Sequence, residues 1–215
     1  MLSSLPPFVL FFVGAVVIAF TRGTVRKVLI LAIPLVGGLN LWFGVEPGLH
    51  LQFDLLGYTL TPYRADKLSL LFGYLFHLAA FLGFIYALHL GDGAPEGSVA
   101  GEVGEDDIVG NASAGLQHVA AMVYAGSALG AVFAGDFITL FIFWELLAIS
   151  SAFLVWARKS ERSYATGFRY LIIHVISGVL LLSGALMLAH ETGSIEFGHV
   201  GLAGTGAAGW ILLLS

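Results

Sequence analysis

Cysteine is absent from the 215 residues, so the chain offers no disulfide, no cysteine ligand for an iron–sulfur cluster and no thiol chemistry. Any electron transfer would belong to a partner. Charge is almost as scarce: acidic and basic residues make up 11% of the sequence against 58% hydrophobic residues, and the mean hydropathy is +0.93. Such a composition lies far outside that of soluble globular proteins and places most of the chain in lipid. The net charge of −5 comes largely from one acidic stretch, and nothing in the charge pattern points to a nucleic-acid partner. Also missing are a serine–histidine–acid arrangement, a phosphate-binding glycine loop and metal-ligand spacing. The sequence therefore predicts no enzyme active site, no cofactor and no metal.

What is present is a series of apolar blocks long enough to cross a bilayer. They run over 5–20, 28–43, 68–90, 116–133, 137–157 and 168–189. Pro6 and Pro7 open the first, as prolines do in a first helical turn. No Lys or Arg precedes it and no small-residue cleavage site follows, so it reads as a retained helix rather than a signal peptide. The predicted fold is all-α, a polytopic bundle of six full spans plus the start of a seventh. Between the second and third blocks, "EPGLHLQFDLLGYTLTPYRADK" alternates apolar and polar residues around Gly57, the pattern of a small hairpin at the membrane surface. Residues 91–115 are rich in Gly, Ala, Ser and acid without an apolar period, which predicts a flexible loop. Its acids Glu102, Glu105, Asp106 and Asp107 lack metal-loop spacing and read as a solvated charge run. Three units follow: 1–90 with the hairpin, the acidic loop 91–115, and a helical unit 116–215.

"GWILLLS", the last seven residues, reaches about a third of the roughly 30 Å hydrocarbon core at ~1.5 Å per residue. A seventh helix is expected to begin there, its remainder lying in a longer chain or in a separately encoded partner. Arg22, Arg26, Lys27, Arg158, Lys159, Arg162 and Arg169 fall on one side of a six-span arrangement, and only Arg64 and Lys67 on the other. Basic residues favour the cytoplasm, so the N-terminus is expected outside, the acidic loop inside, and the protein in a bacterial inner membrane.

Within the fifth block, "FITLFIFWELLAISSAFLVWA", Glu145 is the sole ionisable group. A charge at the centre of a membrane helix costs roughly 2.5–3.5 kcal/mol on insertion scales. Buried alone, a carboxyl keeps its proton, whereas a cationic neighbour favours the ionised form. A group poised between those states is a proton-relay element; the alternative is an acid that joins two helices by a hydrogen bond. Tyr170, His174 and Ser177 fall near one face of the sixth helix, where they would support a water chain, although a helix-packing histidine fits His174 as well. His77 and His118 are weaker candidates of the same kind. Asp136, just before the fifth helix, is either an entry point for a proton or Na+ or the N-cap of that helix.

The longer phrase "AGDFITLFIFWELLAISSAFLVWA" resembles the acidic "GD" followed by "LFxFWE" of the antiporter-like membrane subunits, and "ATGFRYLIIHVISGVLLLSGALML" suits their small-residue-rich sixth helix. This family comprises the Mrp-type sodium/proton antiporter subunits and the related large subunits of respiratory complex I and membrane-bound hydrogenases. The resemblance is closest to the D-type member of the Mrp group and covers most of 66–215, the N-terminal helices and hairpin fitting by layout alone. It implies that Glu145 modulates, by charge pairing, a helix 7 lysine that would lie beyond Ser215. It also implies two inverted five-helix repeats, helices 4 to 8 and 9 to 13, of which this chain reaches helix 4 to the start of helix 7. Partner subunits of a membrane assembly, the lipid bilayer, H+ and Na+ follow as expected partners. Three functions stay open: part of a cation/proton antiporter, a membrane-arm subunit of a redox-driven proton pump, and a truncated structural subunit without transport.

Overall fold

The computed structural model describes residues 5–55, 57–91, 105–157, 161–197 and 206–214. Seven helices and one hairpin follow in chain order: α1 (Pro7–Phe20), α2 (Gly23–Gly44), β1 (Gly48–Leu55), β2 (Tyr58–Ala65), α3 (Lys67–Gly91), α4 (Glu105–Phe133), α5 (Phe137–Trp156), α6 (Glu161–Thr192) and α7 (Gly206–Leu214). The protein is a polytopic helical membrane protein. Five of the described helices, α2 to α6, are long and apolar enough to cross a bilayer. The apolar blocks predict six full spans, and α1 accounts for the difference. It begins at Pro7, stops where Thr21 turns extended, and has 14 residues, about 21 Å at helical rise.

Charged residues carry three helices further than their apolar blocks: the second begins at Gly23 rather than Val28 and takes in Arg26 and Lys27. The fourth begins at Glu105 rather than Leu116, inside the stretch expected to be a loop, and the sixth at Glu161 rather than Phe168. Glu105, Asp106 and Asp107 fall in the first turn of α4, where a hydropathy pattern does not register a helix. The rest of the acidic stretch, 92–104, and the basic pair Arg158 and Lys159 lie outside the described residues. The expected seventh helix is present from Gly206.

α4 is the central helix of the chain, packed between α1 and α5; α2 joins α1 to α3, and α6 lies between α5 and α7. The core between α1, α4 and α5 is aromatic, with the Phe8 and Phe143 rings 4.9 Å apart. Close approach depends on glycine: an added Cβ on Gly126 would lie 2.9 Å from Phe11 Cβ, and one on Gly130 would overlap the Phe143 ring. Outside this core, Leu71, Leu75, Leu78 and Leu82 of α3 are all more than half exposed. Their spacing of four and three makes one continuous apolar stripe, the surface a helix presents to lipid.

The hairpin expected around Gly57 is there, antiparallel from Gly48↔Ala65 to Leu55↔Tyr58, with Gly57 at φ +85° in its turn. Tyr63 anchors it. The ring is fully buried, 4.6 Å from His50 and edge-on to Phe133 at 5.6 Å, and burial pushes the phenol up to about 12. Asp66 then couples hairpin to helix: its carboxylate accepts from Ser69 N–H, while its own N–H donates to Ser69 Oγ, both at 2.7 Å. This reciprocal capping starts α3, and the Ser69 N–H holds the Asp66 carboxyl below its ordinary range.

Candidate functional site: a carboxylate between α5 and α6

Glu145 lies near the middle of α5, half-buried, with Oε1 fully shielded. Among the described residues that oxygen has no hydrogen-bond partner. The carboxyl rests on the backbone of α6 at Gly178. A Cβ placed there would be 2.9 Å from Glu145 Cδ, in overlap with Oε1, and 3.3 Å from the ring of Phe141 one turn away. The His174 imidazole, one turn before Gly178 on α6, is within electrostatic range of the carboxylate.

His174 sits under two aromatic rings, 4.3 Å from Tyr170 and 6.1 Å from Trp144. Its Nδ1 and the Trp144 indole Nε1 are also shielded and without a hydrogen-bond partner among the described residues. Two donor-capable nitrogens and one carboxylate oxygen thus converge on the α5–α6 seam unpaired. Buried polar groups are rarely left so, and the arrangement suits exchangeable waters or a transferred proton. Further along the seam the Ser151 and Tyr170 hydroxyls share a hydrogen bond of 2.9 Å, and Ser151 Oγ lies 2.8 Å from the Ala148 carbonyl oxygen. Ser177 is half-buried on α6 and has an interaction of its own. Of the residues expected to line a relay, the structure brings Glu145, His174 and Tyr170 together.

Asp136 stands apart from them, at the N-terminus of α5. It is fully buried. Its carboxylate accepts from Thr139 N–H at 2.7 Å, from Thr139 Oγ1 at 2.6 Å and from the Thr61 N–H of β2 at 2.6 Å. The first of these is an N-cap; the last staples the hairpin to the helix. The Thr61 carbonyl also accepts from Gly135 N–H at 2.8 Å, and the Ile195 carbonyl from Phe137 N–H at 3.1 Å, so one knot joins β2, the α4–α5 corner and the segment after α6.

The other two histidines lie elsewhere. His77 is buried between α2 and α3, its Nδ1 2.7 Å from the Gly73 carbonyl and its ring edge-on to Phe11 at 5.3 Å. His118 is half-buried on α4, one turn beyond Gly115, against which the Arg26 guanidinium packs. Sequence reasoning missed Gly178, Trp144 and Thr61. The only trace of the first was the small-residue richness of helix 6.

Residues 134–215, which contain all of α5 and α6, match the family described as NADH:quinone oxidoreductase/Mrp antiporter, transmembrane. Over this stretch the chain is similar to the antiporter-like membrane subunits. Among curated relatives of this antiporter-like family, Na(+)/H(+) antiporter subunit A1 of Staphylococcus epidermidis is 37% identical over 79 residues, covering 35% of this chain and 10% of that protein. The same subunit of Staphylococcus aureus is 33% identical over 81 residues, 37% of this chain and 10% of that one. An uncharacterized protein of Methanocaldococcus jannaschii is 34% identical over 65 residues, 30% of this chain and 14% of its own length. The chain thus spans about a tenth of the antiporter subunits it matches. In fold, it superposes on a chain of the membrane-bound sulfane sulfur reductase, an archaeal respiratory membrane complex, with a TM-score of 0.67 over 99% of this chain and 42% of that one, at 17% identity.

Proposed function

We propose that the chain is a subunit, or the N-terminal part of one, in a multisubunit monovalent cation/proton antiporter, and that Glu145 and His174 belong to its intramembrane proton path. The observation that carries this reading is the Glu145 carboxylate, held at the α5–α6 seam with a shielded oxygen lacking a hydrogen-bond partner among the described residues and an imidazole within electrostatic range. A purely structural acid repays its insertion cost with hydrogen bonds to the neighbouring helix; this oxygen faces a glycine backbone instead. Na+ is the proposed cation, on the names of the staphylococcal relatives. Those names are of subunit A1, whereas the likeness to the D-type Mrp member is an inference from helices 4 to 6. Partner subunits would supply the rest of the path, in a bacterial inner membrane.

A second reading, a membrane-arm subunit of a redox-driven pump, is favoured by the fold shared with a respiratory membrane complex. One experiment separates the two. Everted vesicles carrying the assembled complex, with and without this chain, are given a respiratory pH gradient and then Na+. The antiporter reading expects Na+ to collapse the gradient only when the chain is present. Proton pumping that depends on an electron donor and ignores Na+ would support the second reading, and no difference between the vesicles would overturn both.

A further inference from the structure

We infer that Gly178 is a positioning residue for the Glu145 carboxylate: the missing side chain on α6 is the seat that holds this carboxylate in working position. The inference rests on the proposed role of Glu145 in transport, which it deepens. Gly178 is buried and in mid-helix, where glycine is less favourable than alanine by roughly 1 kcal/mol. Its backbone has no positive φ to explain the choice. The explanation lies across the seam. A single methyl group there would overlap Glu145 Oε1 and stand 2.9 Å from Cδ, with the Phe141 ring at 3.3 Å closing the other side.

The geometry differs from that of another α6 glycine, Gly167, whose added Cβ would meet the Trp156 indole, a neutral ring near the helix end. At Gly178 the filled volume belongs to the only ionisable group of α5. The carboxylate points Oε1 at the α6 backbone of Gly178, one turn from His174. A methyl group would lever it away from both, while leaving its chemistry unaltered. Shortening the acid by one methylene withdraws the carboxylate from the seat, so the same methyl group then meets nothing charged.

That asymmetry is the test, with the full assembly in everted vesicles and Na+-driven pH change and co-purification as readouts. Gly178→Ala is expected to lower transport roughly tenfold or more with the complex intact. In the Glu145→Asp background, itself partly active, the same Gly178→Ala change is expected to cost less than twofold. Equal losses in the two backgrounds would mean that the methyl group disturbs helix packing alone, and would overturn the inference, as would wild-type transport by Gly178→Ala. If Gly178→Ala fails to assemble, recovery of assembly by Glu145→Asp supports the seat and its absence overturns it. Glu145→Gln, run in parallel, separates the two levels: wild-type transport by it refutes the role of Glu145, whereas loss of transport by it with an unaffected Gly178→Ala refutes the seat alone.

Discussion

Glu145→Gln is expected to abolish cation-driven proton transport while leaving the complex assembled. The amide is nearly isosteric with the carboxyl and can still donate and accept hydrogen bonds, so the α5–α6 packing around it should survive; what it cannot do is take up and release a proton. Because Oε1 lacks a hydrogen-bond partner among the described residues, little structural bonding is lost with it. A fall of roughly a hundredfold or more, to the vesicle background, is the size of effect that removal of an essential proton-transfer group produces. Glu145→Asp keeps the charge and draws it back by one methylene, so part of the activity should remain. The measurement is the Na+-driven pH change in everted vesicles, normalised to complex recovered by co-purification. Wild-type rates from Glu145→Gln would leave Glu145 a packing residue.

The second large effect concerns stability. Asp136→Ala removes an N-cap, worth about 0.5–2 kcal/mol, and leaves the buried Thr61 N–H without its acceptor, at about 1–3 kcal/mol. A loss of about 2–4 kcal/mol in reversible denaturation of the detergent-solubilised protein is expected, together with faster proteolysis of the hairpin. Asp136→Asn should fall between, since asparagine caps helices well but offers one acceptor oxygen where Asp136 uses two. Unchanged stability with lost transport would instead mark Asp136 as an ion entry point.

The apolar runs made α3 and α5 legible nearly to their ends, and Gly57 located the hairpin turn, because hydropathy and turn chemistry are local properties of sequence. The starts of α2, α4 and α6 were not legible: these helices extend through charged residues, where hydropathy falls but backbone hydrogen bonding continues. The candidate site divides in the same way. An acid in an apolar helix is conspicuous, so Glu145 could be singled out, and a residue before a helix suggests a cap, so Asp136 could be read. Their partners could not. Thr61 reaches Asp136 across 75 positions, and Gly178 meets Glu145 only because of how far α6 slides along α5, a register no periodicity encodes. The shortness of α1 was hidden too: Leu5 and Pro6 extend its apolar block, while the helix itself begins only at Pro7.

The central claim is that Glu145 exchanges a proton within the membrane. It is tested most directly by infrared difference spectroscopy of the reconstituted complex, comparing wild type with Glu145→Gln as pH is stepped and as Na+ is added. The account predicts a carboxyl band, absent from Glu145→Gln, that changes with pH and responds to Na+. A Glu145 band that stays constant across the working pH range and ignores the cation would contradict it.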